Sequence, residues 1–208
     1  MQIKVCGMRD PENIEELEKV IHPDWMGLIF YAKSPRFVTE EKAVEIAKIP
    51  QPKVGVFVNE GIANVLDKID RFALSAVQLH GSESPDYVRE LKLKTDKELW
   101  KVVSVGDSVD WDDLHEYLGL VDCFLFDTAT KHHGGSGEKF NWQILANYPF
   151  EVPFLLSGGI DEDSAEELLR FAENSPLVKG IDLNSKFEDA PGMKNIEKLK
   201  RFKDKLLS

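Results

Sequence analysis

Short apolar runs alternate with charged segments of helical period along the whole chain. Dense apolar stretches fall near 2–6, 26–31, 53–58, 75–79, 99–105, 122–127, 153–157 and 178–183. They are continuous rather than strictly alternating, as expected for parallel strands covered on both faces. Amphipathic segments lie between them, near 11–21, 40–49, 60–70, 84–94, 110–119, 141–147, 161–173 and 194–207. Several open on a turn or cap signal, namely Asp10-Pro11, Thr39, Asn59, Ser84-Pro85 and Asp161. The pattern predicts eight βα units and favours a closed (β/α)8 TIM barrel, with an open doubly wound sheet as the alternative. No linker, low-complexity stretch or charge block marks a boundary, so a single domain over 1–208 is expected.

Composition adds limits. The 208 residues suit one such barrel, and 42% hydrophobic with 30% charged residues is ordinary for a soluble globular protein. A net charge of −11 with no basic stripe argues against nucleic acid. It also means that any anionic ligand must be held locally, by backbone N–H groups and a few cations. Cys6 and Cys123 form no CxxC pair and no metal-ligand spacing with the five histidines, so reduced thiols and no metal are expected. The N-terminus lacks an apolar signal segment and no apolar run is long enough to span a membrane. A cytoplasmic protein is expected.

In a β/α barrel, the chemistry sits at the C-terminal ends of the strands. The first ends in Cys6-Gly7, where a thiol can serve as nucleophile or base if positive charge stabilises its thiolate, or can be a small buried hydrophobe. The second runs into Lys33-Ser34-Pro35-Arg36, where Arg36 either grips a carboxylate or lies solvated. The fourth ends in Gln78-Leu79-His80-Gly81, with His80 either a proton carrier or a structural group. The sixth ends in Phe126-Asp127-Thr128. A desolvated Asp127 is a candidate general acid, and a turn or N-cap aspartate is the plainer alternative. The glycine-rich run 131–137 reads as a ligand-approach loop, a lid or both. Strands seven and eight end in Ser157-Gly158-Gly159 and Asp182-Leu183-Asn184-Ser185, where barrels commonly hold phosphate. No nicotinamide fingerprint or P-loop is present, and Lys101 lies within a strand rather than at its end, which disfavours a Schiff-base aldolase. Acid–base chemistry without a cofactor, on a small phosphorylated substrate, is the expectation from the residues.

The order of these segments resembles the phosphoribosylanthranilate isomerase family. The likeness runs from residue 3 to about 195. It rests on Lys4-Val5-Cys6-Gly7, Gly27 to Arg36, Val54 to Asn59, Val77 to Gly81 and Phe126-Asp127-Thr128. Gly134 to Gly137, Phe140-Asn141-Trp142, Ser157-Gly158-Gly159, Asp182 to Ser185 and Pro191-Gly192 complete it. The resemblance implies an Amadori rearrangement in tryptophan biosynthesis. It implies Asp127 as general acid on the furanose ring oxygen, Cys6 as general base at C2′, and Arg36 on the anthranilate carboxylate. It further implies Gly158, Gly159, Asn184 and Ser185 as phosphate loops supported by Asp182, with His80 lining the pocket. Family members are monomers, dimers or fused domains, and this chain is expected to be an unfused monomer or homodimer. Ser157 stands where the family often has alanine, Met8-Arg9 where threonine is frequent, and Lys186 where glycine is common. Lys186 can aid a phosphate or strain a turn that needs φ > 0. Two rivals stay open: another phosphosugar isomerase or synthase, for which Arg36 would be dispensable, and a non-catalytic phosphate-binding barrel.

Overall fold

The computed structural model describes residues 1–129 and 139–207. The glycine-rich run 131–137, read above as a ligand loop or lid, lies outside them. Eight parallel strands close into a barrel: β1 (Gln2–Cys6), β2 (Trp25–Ile29), β3 (Lys53–Phe57), β4 (Ala76–Leu79), β5 (Glu98–Val105), β6 (Cys123–Thr128), β7 (Phe154–Leu156) and β8 (Val178–Leu183). β8 pairs with β1 in register Lys4↔Asp182, so the sheet has no free edge. All eight predicted strands are present, each within two residues of its expected bounds. The barrel is therefore closed, and the open-sheet alternative is excluded.

The helices are α1 (Pro11–Ile21), α2 (Ala43–Ala47), α3 (Ile62–Phe72), α4 (Pro85–Lys92), α5 (Trp111–His115), α6 (Ala165–Glu173) and α7 (Ile196–Leu207). In α1, Ile14, Leu17 and Ile21 recur at helical spacing and are buried, and the Asp10 carboxylate accepts the Asn13 N–H. Ser84 caps α4 in the same way through Tyr87 N–H. The other three start signals work differently. Thr39 precedes a 3-10 turn at Glu40–Lys42 and makes no side-chain cap bond. Asn59 adopts φ 51°, and its carboxamide oxygen accepts the Ser82 N–H, leaving Gly61 to precede α3. Asp161 binds the Ser164 hydroxyl at 2.6 Å, closing a local turn ahead of α6. Segment 142–147 is a 3-10 helix rather than an α-helix; its buried residues Trp142 and Leu145 are three apart, which suits a three-residue turn.

A second sheet was not anticipated. After a 3-10 turn at Ser185–Phe187, β9 (Glu188–Ala190) and β10 (Met193–Lys194) form a small antiparallel hairpin beside the barrel mouth.

Inside the barrel, Val54, Ala76, Trp100, Val102, Cys123, Leu125 and Leu155 pack as one cluster with Trp25. Near the strand N-termini, Lys179 Nζ lies over the rings of Trp25 and Trp100 and bonds Glu98 at 3.1 Å. This end is filled by apolar and stacked groups. Polar side chains collect at the other end, where the strands finish.

Candidate active site

Strand parity places the site. Successive side chains alternate in and out, so residues two apart share a face. Ala76 points inward, and so do Gln78 and His80 along the same line; Cys123 and Leu125 lead to Asp127, and Leu155 leads to Ser157. Asp182 faces Lys4 across the β8–β1 register, so Lys4 and Cys6 share the interior face of β1.

Asp127 lies just inside the mouth, with its side chain 13% exposed. Burial favours its neutral form, and the nearby Asp182 adds to this. The Thr128 N–H, at 3.0 Å, and Ser157 pull the other way, and the carboxyl ends up at about 6. His80 Nε2 is 3.7 Å from Asp127 Oδ2. Gln78 Nε2 lies 3.2 Å from His80 Nδ1.

Cys6 is 3% exposed. Burial pushes its thiol up, Lys4 and Lys194 pull it down and Asp182 opposes them, so that the thiol ends above its usual value. Lys4 is fully buried, with Nζ 2.8 Å from Asp182 Oδ1. Burial penalises its charge, but Asp182 and Cys6 together outweigh that and raise its pKa. Asp182 thus serves as the partner of an interior lysine.

Arg36 is not a solvated arginine. Its Nε and Nη2 grip the Glu188 carboxylate at 2.7 to 3.0 Å, with the side chain 12% exposed. Lys194 Nζ joins the same carboxylate at 2.5 Å and the Asn184 Oδ1 at 2.8 Å. Burial alone would raise Glu188, but Arg36 and Lys194 hold its carboxyl below the usual value. The hairpin supplies both Glu188 and Lys194. Neither stood out in the sequence, nor did Lys4 or Gln78. A lysine within an apolar run carries no mark of its partner, which here comes from the far end of the chain.

Gly158 and Gly159 take φ values of +83° and +63°, a region that strains any side chain. A Cβ at Gly158 would also run into the Thr128 hydroxyl. Asn184 and Ser185 lead into the 3-10 turn after β8. Lys186 is exposed and is not among the residues with positive φ, so the strain considered for it does not arise. Lys101 points away from the barrel interior. Its Nζ bonds Gly81 O at 2.6 Å and Glu83 Oε2 at 3.2 Å, anchoring the loop after His80. The mouth therefore brings together Cys6, His80, Asp127 and Asp182, with Arg36 and Asn184 joined to them through the hairpin.

The N-(5′-phosphoribosyl)anthranilate (PRA) isomerase family model matches residues 3–205. The chain is 45% identical over 211 residues to N-(5′-phosphoribosyl)anthranilate isomerase of Parabacteroides distasonis, covering 100% of this chain and 94% of that protein. It superimposes on the crystal structure of phosphoribosyl anthranilate isomerase from Thermotoga maritima with a TM-score of 0.84 at 29% identity, covering 100% of this chain and 98% of the other. A structure of the isomerase in complex with reduced 1-(o-carboxyphenylamino)-1-deoxyribulose 5-phosphate aligns with a TM-score of 0.79 at 27% identity, again over 100% and 98%.

Proposed function

This chain belongs to the N-(5′-phosphoribosyl)anthranilate isomerase family, and from that premise we propose which of its residues carry the reaction. The protein is an isomerase of tryptophan biosynthesis. It converts the aminoaldose N-(5′-phosphoribosyl)anthranilate to the aminoketose 1-(2-carboxyphenylamino)-1-deoxyribulose 5-phosphate.

The observation that carries the assignment is a carboxyl held at about 6 in the barrel mouth, on a different wall from a buried thiol. Asp127, in its acid form, gives its proton to the furanose ring oxygen as the C1′–O bond breaks. The nitrogen lone pair forms the Schiff base, and Asp127 is left as carboxylate. Cys6, as thiolate, takes the C2′ proton. The C–H electrons form the C1′–C2′ double bond and neutralise the iminium nitrogen, and the resulting enolamine tautomerises to the ketone. Because β1 and β6 are three strands apart around a ring of eight, acid and base approach the sugar from different sides. Each contributes a factor of about 10²–10⁴.

Glu188 occupies the Nε–Nη2 edge of Arg36, which leaves the Nη1 side to grip the anthranilate carboxylate. Gly158, Gly159, Asn184 and Ser185 present backbone N–H groups to the phosphate, and the two grips hold the substrate in reactive geometry. His80 lines the pocket beside Asp127, and Asp182 supports the phosphate loop from the end of β8, just ahead of Asn184 and Ser185. The site needs one chain, which we read as a single domain, working as monomer or homodimer. A thiol base must stay reduced, so the cytoplasm is its compartment.

The test is loss of substrate fluorescence on mixing freshly made phosphoribosylanthranilate with wild type, Asp127→Asn, Cys6→Ser and Arg36→Ala. We expect rapid loss in wild type and loss of most turnover in Asp127→Asn and Cys6→Ser. Arg36→Ala should raise KM. Near-wild-type turnover in Asp127→Asn or Cys6→Ser would remove that residue's role, and an unchanged KM in Arg36→Ala would point to another phosphosugar.

A further inference from the structure

Lys4 is a fully buried ammonium in the centre of a barrel whose other filling is largely apolar. Such a charge is costly, and replacing a buried ion pair by apolar residues of similar volume is often neutral or stabilising. The fold alone does not call for it.

Its neighbours suggest what it is for. On one side, Nζ donates to Asp182 Oδ1 at 2.8 Å, across a strand register that sets the two Cα positions opposite each other. On the other side lies Cys6, two residues along the same interior face of β1, where the lysine charge favours the thiolate. The ammonium is therefore bonded to a carboxylate and shares an interior strand face with a thiol. The remaining charged groups facing Cys6 are few. Lys194 of β10 is a second cation, itself tied to Glu188, and Asp127 of β6 faces the Lys4–Asp182 pair.

We propose that Lys4 is a positioning residue of the isomerase reaction, held by Asp182 on the same interior face as Cys6 so that the cysteine is supported as the thiolate that takes the C2′ proton. This rests on the reading of Cys6 as the base. During the step, the proton passes from C2′ to Sγ; Lys4 stays an ammonium and Asp182 a carboxylate throughout. As the thiolate charge vanishes, Lys4 is left wholly to Asp182, which keeps the interior pair neutral in both states. Asp182 tempers the support, because its own charge disfavours the thiolate.

Two changes should then move Cys6 in opposite directions. Lys4→Met alone would strand a buried carboxylate, so the cation is best removed in the double variant Lys4→Met/Asp182→Asn, which conserves volume and leaves no lone charge. Asp182→Asn alone keeps the cation and removes its competitor. The readout is the ultraviolet absorbance of the thiolate against pH in the folded, substrate-free protein, each taken as a difference from the same protein carrying Cys6→Ser. This isolates one thiol without requiring a reagent to enter the site. We expect the midpoint to rise by about one pH unit in the double variant and to fall by a similar amount in Asp182→Asn. Neutral-pH turnover in the double variant should fall about tenfold. A lysine with only a structural role would shift neither midpoint. Unchanged midpoints, or two shifts of the same sign, would overturn the proposal. Turnover surviving in Cys6→Ser while both midpoints still move would instead remove the base assignment and leave the Lys4–Cys6 coupling standing.

Discussion

A carboxyl at the end of β6 sits where burial works against its ionised form, and two consequences follow at the scale of that one residue. Asp127 moves from the usual 3.8 to about 6. The folded state thus holds its proton more tightly than the unfolded chain does. Stability contributed by this group is complete below about pH 4, falls as pH rises to about 6, and is flat above that, a penalty of at most about 3 kcal/mol. Asp127→Asn should therefore be more stable than wild type at pH 7, seen as a higher urea midpoint, although it loses turnover. An equal or lower midpoint would mean that the ionised carboxylate is better compensated than its surroundings indicate. The same value predicts that the acid-dependent limb of kcat declines as pH rises through about 6, because the acid must carry its proton to act. Asp127→Glu, which keeps an acid, should retain such a limb.

The element that matters most beyond the barrel strands is the β9–β10 hairpin. It delivers Glu188 to Arg36 and Lys194 towards Cys6, and Asn13 of α1 holds it in place. The Asn13 Nδ2 donates to Lys194 O at 3.0 Å, and its Oδ1 accepts the Lys194 N–H at 2.8 Å. Both contacts are buried, so Asn13→Ala leaves a backbone donor and acceptor unmade. The expected loss is about 2 kcal/mol, read from urea denaturation. Faster amide exchange at Lys194 and lower turnover should accompany it, although Asn13 touches no substrate. Unchanged exchange at Lys194 would show that the hairpin holds itself. Its tight turn at Gly192, with φ +83°, abuts the Arg9 side chain, so the hairpin is also wedged against the loop after β1.

At the scale of the whole molecule, the net charge of −11 contrasts with an interior mouth that gathers Lys4, Lys194 and Arg36. Each of these cations is paired with a buried carboxylate, Lys4 with Asp182 and both Arg36 and Lys194 with Glu188. The closed sheet pairs every barrel strand on both sides, and the last helix, α7, packs beside the first. Chain ends and middle are thereby tied together. A reading as one domain predicts a single unfolding transition, coincident by far-ultraviolet circular dichroism and by tryptophan fluorescence. Tryptophans occur on β2, β5, α5 and the 142–147 turn, so separate transitions in the two signals would reveal independent parts.

The sequence by itself determined the barrel, because dense apolar runs and 3.6-period helices are local signals that survive without contacts. It also determined Cys6, Arg36, His80, Asp127 and the glycines at 158 and 159 as candidates, because strand ends are where polar groups interrupt an apolar run. Gly158 in particular is required by its backbone angle and by the nearness of Thr128. Only the tertiary structure decided which charges meet. Lys4 and Asp182 are 178 residues apart, as Arg36 and Glu188 are 152 apart, and neither pair has a periodicity to betray it. The role of Asn59 was settled by a partner 23 residues away, the Ser82 N–H, which no local propensity names. Local order follows from the chain's own pattern, while the electrostatics of the site follow from closing the barrel.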